Sequence, residues 1–248
     1  MIGDADQFRI CSYNIHKGFG ATNRRFRLED MRDAIRGINA DICFLQEVVG
    51  HQLAYGGEER RGSESQFEFL ADSIWSHYAY GRNAIIEEGH HGNAILSKVP
   101  FASWQNYDVS RWKISSRGLL FGRLENGIGL VCVHLGLLAV ERRYQIRRLR
   151  ELLEAECPPG EPVIVAGDFN DWRMQVDKVM CGELGFSEVI AEQQGRPARS
   201  FPAALPILRV DRVYFRGLEL LDAKLLRGGI WRKLSDHAAL TASFQFRG

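Results

Sequence analysis

The sequence has little of what marks secreted, membrane-spanning or disulfide-rich proteins. Its five cysteines form no C-x-x-C pair, and Cys11, Cys43 and Cys132 lie inside apolar runs. An odd number of cysteines, several of them core-like, indicates a reducing compartment. No apolar run is long enough to cross a bilayer, and the first residues lack the basic and apolar segments of a signal peptide. We therefore expect a cytoplasmic protein without a transmembrane segment.

An excess of one charge is also missing. The chain carries 32 Lys and Arg against 31 Asp and Glu, a formal net charge of +1. Proteins that bind phosphate backbones are often much more basic, so this balance weakens one argument for a nucleic-acid partner. The chain has 248 residues, 45% of them hydrophobic, with no linker or internal repeat, and we expect one domain over residues 1–248.

Short apolar runs separated by turn residues predict many strands and few helices. Helical spacing of apolar residues predicts helices over 27–38, 67–75 and 140–155, and the polar run 56–65 predicts a loop. Strand-like runs cover residues 8–15, 40–48, 78–86, 92–97, 101–109, 118–124, 128–135, 163–169, 210–215, 218–226 and 238–246. Strands interleaved with only a few helices predict a mixed α/β layered domain.

Polar side chains stand where several of these strands begin or end. Taken singly, each is typical of a turn or of a hydrogen-bonded core group. Together they place carboxylates, amides and imidazoles at strand ends, where open α/β sheets build their sites. The residues are Asn14, Glu47, His134, Asp168, Asn170, Asp211, Asp236 and His237.

This set of residues suits metal-assisted phosphate chemistry. Hydrolysis of a phosphodiester requires a water molecule to attack an anionic phosphate at phosphorus. Mg²⁺ assists this attack, and its ligands are typically one or two protein carboxylates, several waters and the phosphate of the substrate. Glu47 suits the protein carboxylate. His237 is the candidate general base, Asp211 can fix its tautomer, and Asp168 can orient the water or help to deprotonate it.

Uncharged and protonated donors complete the predicted set. Asn14 and Asn170 can hold phosphate oxygens or the nucleophile without repelling an anion. His134, if protonated, can donate to the charge that develops on the phosphate. These interpretations predict one site built from residues that lie far apart in the chain.

The same residues lie in an ordered set of motifs that resembles the endonuclease/exonuclease/phosphatase superfamily. The motifs span Ser12 to Leu240 and read YNIHKG, LQEV, GNAILS, VHLG, GDFND, VDRVYF and SDHAAL. The resemblance implies a four-layer α/β sandwich, with two mixed β-sheets packed face to face and helices outside. It also implies a hydrolase of phosphoric esters with Mg²⁺, or Mn²⁺, as its cofactor.

The resemblance also implies roles by position. Metal ligation is expected of Glu47 and Asp236, and catalytic roles are expected of Asn14, His134, Asp168, Asn170, Asp211 and His237. The abasic-site branch has an acid where this chain has His16 and a tyrosine where it has His134. This departure argues against abasic-site repair and favours the DNase-like, sphingomyelinase-like and phosphatase branches.

Substrate contacts are predicted beside the motifs. Asn93 and Arg117 are candidate phosphate contacts, and His16 with Lys17 can reach an anionic leaving group. The expected partner is a phosphate-ester substrate, which is a nucleic acid, a phospholipid head group or a small phosphodiester. No obligate protein partner and no amphipathic membrane anchor stand out in the sequence.

Three alternatives to a metal-dependent phosphoesterase of lipids or small molecules give different expectations. A nuclease of the same superfamily needs a basic groove with aromatic platforms, for which the candidates are Trp104, Trp112, Trp172 and Trp231. A catalytically inactive module that binds a phosphorylated ligand would have lost a catalytic residue, and none is lost. A zinc hydrolase would need H-E-x-x-H or clustered His and Cys, which the sequence lacks.

Overall fold

Two six-stranded β-sheets and six α-helices make up the part of the chain that the computed structural model describes, residues 7–22, 25–52, 65–72, 74–86, 89–112 and 115–247. The strands are β1 (Gln7–Asn14), β2 (Ile42–Gln52), β3 (His77–Ile86), β4 (Gly89–Ser97), β5 (Phe101–Asp108), β6 (Gly118–Leu124), β7 (Gly129–His134), β8 (Val163–Asp168), β9 (Ser187–Glu188), β10 (Asp211–Arg216), β11 (Leu218–Leu226) and β12 (Ala239–Phe246). The helices are α1 (Leu28–Ile38), α2 (Gln66–Ala71), α3 (Ala139–Glu156), α4 (Gln175–Met180), α5 (Val189–Gln194) and α6 (Trp231–Leu234).

Each sheet contains one parallel pair of strands, and its other neighbours are antiparallel. The first sheet has the order β11-β12-β1-β2-β4-β3, and the second has the order β5-β6-β7-β8-β10-β9. The parallel pairs are β1 with β2 and β7 with β8. Each pair is connected through a helix, α1 or α3, because parallel neighbours need a crossover connection. The two sheets therefore contain the same β-α-β unit.

Three apolar clusters separate four layers. The central cluster lies between the sheets and joins Phe44 and Ile95 of the first sheet to Leu130 and Ile164 of the second. A second cluster lies between the second sheet and α3, and a third lies between the first sheet and α1 with α2. Strands that are buried on both faces need helices outside them. The structure thus confirms the expected sandwich of two mixed sheets with helices outside.

Helix α1 illustrates how the local sequence builds an outer layer. Leu28, Met31 and Ile35 recur with helical spacing and are buried against the first sheet. The helix ends at Asn39, whose left-handed backbone (φ 52°) is a common way to stop a helix. Helix α3 covers the second sheet with a similar stripe of isoleucine and leucine.

The predicted and observed elements differ mainly in the short helices. Strand β11 coincides with the predicted run 218–226. Helices α4, α5 and α6 have four to six residues each, which is too few turns for a periodic signal. The predicted loop 56–65 lies outside the described residues except for Ser65, whose side chain caps α2. Within the described ranges, the structure has no helix with the length and apolar character needed to span a membrane.

The carboxyl ends of the parallel strands and the amino end of an antiparallel neighbour meet at one end of the sandwich. Asn14 of β1 pairs with Gln46 of β2, and His134 of β7 pairs with Asp168 of β8. Asp211, the first residue of β10, also pairs with Asp168. We call this end the site end. The far end is the opposite one, with the turns 39–41, 98–100, 125–128 and 157–162.

Candidate active site

The carboxylate of Asp168, the last residue of β8, is the point on which the polar strand ends converge. Its Oδ2 accepts hydrogen bonds from Asn14 Nδ2 (3.4 Å) and Asn170 Nδ2 (3.3 Å). The Nε2 atoms of His134 and His237 lie 3.6 Å and 3.8 Å from the same oxygen. Asp168 is only 2% exposed. The structure thus brings four of the predicted residues around the buried carboxylate of a fifth, Asp168.

The turn after β8 holds Asn170 against Asp168. Asn170 has a left-handed backbone (φ 49°), which asparagine tolerates better than most residues. Its backbone N–H donates to Asp168 Oδ1 (2.8 Å), and its side-chain amide also donates to the carbonyl of Leu135 (2.9 Å). The carboxylate and the amide are therefore both oriented by backbone groups of the second sheet.

His237 is held by a second carboxylate. Its Nδ1 lies 2.9 Å from Asp211 Oδ2 and 3.1 Å from Oδ1, so Nε2 is left to point toward Asp168. The ring of Phe201 packs on the imidazole, with centroids 4.8 Å apart. The structure brings the predicted partners Asp211 and His237 into direct contact, which fixes the orientation of the imidazole.

Burial and neighbouring charges set the protonation of the central groups. Burial raises the pKa of Asp168 to about 7, against the opposing effect of the His237 imidazolium. Burial disfavours the charged form of His237 as well, but Asp211 and Asp168 outweigh it and raise its pKa to about 10. Burial lowers the pKa of His134 well below its ordinary value, and Arg117 lowers it further.

These charge states bear on the predicted roles. A general base must be unprotonated, whereas the surrounding carboxylates keep His237 protonated near neutral pH. The pKa of Asp168 lies close to neutral pH, so Asp168 is better placed than His237 to accept a proton. The lowered pKa of His134 favours its neutral form, which can donate through a single ring N–H.

Glu47 lies in a β-bulge of β2. The register against β4 shifts here, so that Gln46 and Glu47 oppose the single residue Asn93. Glu47 is left-handed (φ 56°), a conformation that costs a non-glycine residue about 1–2 kcal/mol. The charge of its half-buried carboxylate raises the pKa of Asp168, after burial and the charge of Asp211. This carboxylate has no hydrogen-bond or ion-pair partner among the described residues.

Three of the site residues come close enough together to share a metal ion. One ligand atom each of Asp168, Asp211 and His237 lies within 4.8 Å of the others. The predicted metal ligands Glu47 and Asp236 are not members of this compact group. Their negative charges affect it, because Glu47 raises the pKa of Asp168 and Asp236 raises the pKa of His237. The assignment of the metal ligands therefore stays a prediction.

His16 and Asp236 contact each other beside the site. His16 Nδ1 lies 3.5 Å from Asp236 Oδ1, and both side chains are partly exposed. His16 and Lys17 are both left-handed (φ 47° and 55°), and the N–H of His16 donates to Asn14 Oδ1 (3.0 Å). This backbone turn places two basic side chains next to Asn14. The predicted contact of His16 with a leaving group stays a prediction.

Comparison with known proteins identifies the family. The sequence model of the Endonuclease/Exonuclease/phosphatase family matches residues 11–237. The chain belongs to this family. YbhP of Escherichia coli (strain K12), an uncharacterized protein, is 46% identical over 241 residues, which cover 95% of each chain.

Solved structures of the endonuclease/exonuclease/phosphatase family share the fold. A family member from Beutenbergia cavernae has a TM-score of 0.75 at 17% identity, covering 98% of this chain and 72% of its own. D. rerio TDP2, complexed with single-strand DNA product, has a TM-score of 0.70 at 19% identity over 96% and 99%. A mannosyl-6-phosphatase from Bacteroides thetaiotaomicron has a TM-score of 0.72 at 16% identity over 96% and 100%. At these identities the likeness shows the fold alone.

Asn93 and Arg117, the two predicted phosphate contacts, have different surroundings in this protein. Asn93 is fully buried between the sheets, where its Nδ2 donates to the carbonyls of Gly118 (3.1 Å) and Cys132 (3.3 Å). The amide N–H groups that a phosphate would need are therefore already used. Arg117 is half-buried near His134, and its Nε has no hydrogen-bond partner among the described residues. Arg117 thus remains available to a phosphate, and its role stays a prediction.

Two serines of the site were not predicted from the sequence. Ser235 Oγ donates to the carbonyl of Asn14 (2.7 Å) and accepts from the N–H of His237 (3.2 Å). Ser200 Oγ accepts from the N–H of Asp211 (3.1 Å). Ser235 stands inside the SDH motif of the family, which is a usable signal, whereas Ser200 lies in a segment without a motif.

The second acid of the GDFND motif has a structural role. Asp171 is fully buried, and its Oδ2 accepts from the N–H of Val176 (2.8 Å) in the first turn of α4. The same oxygen lies 3.5 Å from Nη1 of the fully buried Arg212. The residues of the motif therefore differ in role. Asp168 and Asn170 belong to the candidate site, whereas Asp171 holds the following loop in place.

Proposed function

We propose that the protein is a divalent-metal-dependent phosphodiesterase that uses water as its nucleophile, with a phosphomonoester as the alternative substrate. The observation that carries the proposal is the convergence of four side chains on the Asp168 carboxylate, namely Asn14, His134, Asn170 and His237. The arrangement offers a proton acceptor, amide donors and imidazoles in one buried place. Hydrolysis of a phosphoric ester needs this combination.

In the proposed reaction, Asp168 accepts a proton from the attacking water as its oxygen bonds to phosphorus. His237, protonated and oriented by Asp211, donates to the phosphate and offsets the charge that develops there. The bond between phosphorus and the leaving oxygen breaks, and that oxygen takes up a proton from solvent, to which Asp168 later releases the proton that it accepted. Asn170 and Asn14 hold the Asp168 carboxylate and add no negative charge to the site.

The oxygen donors of the site fit a hard divalent cation. Glu47 has a half-buried carboxylate without a partner among the described residues, next to the buried Asp168. Carboxylate and amide oxygens favour Mg²⁺ or Mn²⁺. Glu47 would hold the ion, with Asp236 as the second candidate ligand. When bound, the ion would stabilise negative charge on the phosphate.

A nuclease is the second candidate function. Trp112 and Trp172 are exposed, and D. rerio TDP2, which shares the fold, was solved with a single-strand DNA product. Trp104 is exposed as well and lies on the edge strand β5, whereas Trp231 packs edge-on against Tyr13 with ring centroids 5.6 Å apart. An inactive binding module is disfavoured because none of the predicted catalytic residues is replaced.

Substitution of His237 by alanine tests the proposal. With Mg²⁺ and bis(p-nitrophenyl) phosphate, we expect kcat to fall about 10³-fold because the donor to the phosphate is lost. Circular dichroism should show an unchanged fold. The matched control is His77→Ala at the start of β3, on another part of the fold. Equal turnover by the two variants would remove the proposed catalytic role.

A further inference from the structure

Large apolar side chains are exposed around the site end. Most of those that the structure leaves exposed lie on segments at this end, namely Phe26, Trp112, Leu137, Leu138, Val140, Trp172, Leu205, Ile207 and Ile230. They come from loops that are separate in the chain, so no amphipathic segment marks them in the sequence. A contiguous exposed apolar surface on a folded protein is typically an interaction site.

The first of two patches, the Trp172 patch, consists of Trp112, Leu137, Leu138, Val140 and Trp172. The guanidinium of Arg142 lies over the Trp172 ring at 5.0 Å, and that of Arg111 lies over the Trp112 ring at 5.2 Å. Arg111 also donates to the carbonyl of Val140 (3.4 Å), and Arg142 donates to the carbonyl of Gly136 (3.2 Å). These contacts join three loops into one surface.

The Trp172 patch lies directly beside the catalytic residues. Leu137 follows His134 by three residues, and Trp172 follows Asn170 by two. The side chains of Leu137 and Leu138 are 63% and 61% exposed. The patch therefore forms one side of the entrance to the site.

The second patch, the Leu205 patch, consists of Leu205, Ile207 and Ile230. Leu205 and Ile207 are 71% and 56% exposed. Their loop is fixed to the site because the N–H of Ala203 donates to the carbonyl of Asp236 (2.7 Å). The side chain of Arg232 joins the Ile230 segment to this loop through the carbonyl of Ala204 (2.8 Å). The Leu205 patch thus adjoins the His237 side of the site.

Unpaired positive charge surrounds both patches. The exposed basic residues here are Arg111, Arg143, Arg173, Arg199, Arg227 and Lys233. None of them takes part in an ion pair within the ranges that the structure describes, whereas Lys98 and Arg123 at the far end do. Apolar side chains ringed by free cations match the surface of an anionic phospholipid bilayer.

We propose that the site end docks on an anionic phospholipid surface and that the substrate is the phosphodiester head group of a lipid in that surface. This proposal rests on the proposed phosphodiesterase function. The leucines and isoleucines enter the interfacial region, and the tryptophans sit at head-group level, where their amphipathic rings are favoured. The arginines contact lipid phosphates. The site then faces the row of head groups between the two patches.

Two other occupants fit the surface less well. A nucleic acid would use the cations and the tryptophans, but aliphatic side chains such as Leu137 and Leu205 offer no stacking surface to a base. A second copy of the chain would bring the same unpaired arginines against each other, which like charges oppose. Only a lipid surface uses the aliphatic, aromatic and cationic side chains together.

Vesicle co-sedimentation in EDTA tests docking without any contribution from hydrolysis. We expect the wild type to bind vesicles of equal parts phosphatidylcholine and phosphatidylglycerol, and not vesicles of phosphatidylcholine alone. The double variants Leu137→Ser/Leu138→Ser and Leu205→Ser/Ile207→Ser should each weaken the partition coefficient at least about tenfold, because two apolar anchors are lost. The control Leu221→Ser, an exposed leucine on β11, should bind like the wild type.

Hydrolysis with Mg²⁺ then separates this proposal from the proposed function. We expect the double variants to lose hydrolysis of vesicle phosphatidylglycerol while they keep the wild-type rate on soluble bis(p-nitrophenyl) phosphate. If the soluble diester is not cleaved, the proposed function fails. If it is cleaved, the lipid proposal is overturned by absent vesicle binding, by double variants that bind normally, or by bound lipid that is never cleaved. Preferential binding of single-stranded DNA, or a dimer that the double variants abolish, would overturn it equally.

Discussion

The two ends of the sandwich are built differently, although the same strands run through both. At the far end, Lys98 pairs with Asp41 (3.0 Å) and Arg123 pairs with Glu161 (2.8 Å), in partly exposed positions. At the site end, Asp168, Asp211 and His237 are buried together. Exposed ion pairs contribute little to the free energy of folding and cost little desolvation energy, whereas buried charges carry a large desolvation cost. The comparison is consistent with a far end that serves the fold and with the proposed chemistry at the site end.

Several left-handed backbone positions also differ between the two ends. The far end uses glycine at several left-handed positions, as at Gly127 (φ 89°) and Gly160 (φ 94°). The site end places side-chain-bearing residues in this region, including Lys17, Glu47 and Asn170. Glycine adopts the left-handed conformation without strain, whereas this conformation costs other residues about 1–2 kcal/mol each. Three of these strained residues therefore lie among the side chains of the candidate site.

The largest expected difference between the ends comes from Asp168→Asn. With Mg²⁺ and bis(p-nitrophenyl) phosphate, kcat should fall about 10³-fold, since an amide cannot accept the proton of the attacking water. The midpoint of thermal unfolding should stay equal or rise, because the buried carboxylate with the raised pKa is removed. Steady-state kinetics and calorimetry measure the two effects.

The matched change at the far end is Asp41→Asn. Asp41 accepts from the N–H of Arg9 (2.8 Å) and from Lys98 Nζ (3.0 Å), so its loss should lower the free energy of unfolding by about 1 kcal/mol. Its kcat should match the wild type. A loss of activity as large as that of Asp168→Asn would show that the two ends do not divide fold and chemistry.

A smaller effect, with opposite signs for activity and stability, is expected of Glu47→Gly. Glycine accepts the left-handed bulge, so the free energy of unfolding should rise by about 0.5–1 kcal/mol. Mg²⁺-dependent turnover should fall because the unpaired carboxylate is gone. Denaturant unfolding and kinetics of the same sample give both values.

Asn39→Gly is the matched control at the far end, where it relieves the left-handed backbone and also removes the hydrogen bond that Asn39 Oδ1 accepts from Lys98 (3.2 Å). Asn39 is left-handed (φ 52°) at the end of α1, at the far end of the molecule. We expect stability within about 1 kcal/mol of the wild type and unchanged turnover. If Glu47→Gly instead kept full activity, Glu47 would have no place in the metal site.

Much of the fold could be predicted because strands and long helices leave local patterns. The apolar run that forms β8 and the helical spacing of Leu28, Met31 and Ile35 are examples. The bulge at Glu47 has no such pattern, since it depends on the register between β2 and β4. Short helices such as α5 are set by tertiary contacts, which a local pattern does not contain.

The candidate site could be predicted as a list of residues but not as an arrangement. The motifs predicted Asp168, Asp211 and His237 as site residues, and the structure brings their ligand atoms within 4.8 Å of one another. The lowered pKa of His134 and the cross-sheet contacts of Asn93 follow from burial between the two sheets, which the sequence does not display. The Trp172 patch is likewise assembled from three loops and is visible only in the folded chain.

Chelation of the purified protein tests the central claim, metal-dependent hydrolysis at the Asp168 site, most directly. Hydrolysis of bis(p-nitrophenyl) phosphate is measured before EDTA, after EDTA, and after the addition of excess Mg²⁺ or Mn²⁺. We expect turnover that EDTA abolishes and that either cation restores. Turnover that continues unchanged in EDTA, or no turnover with either cation, would contradict it.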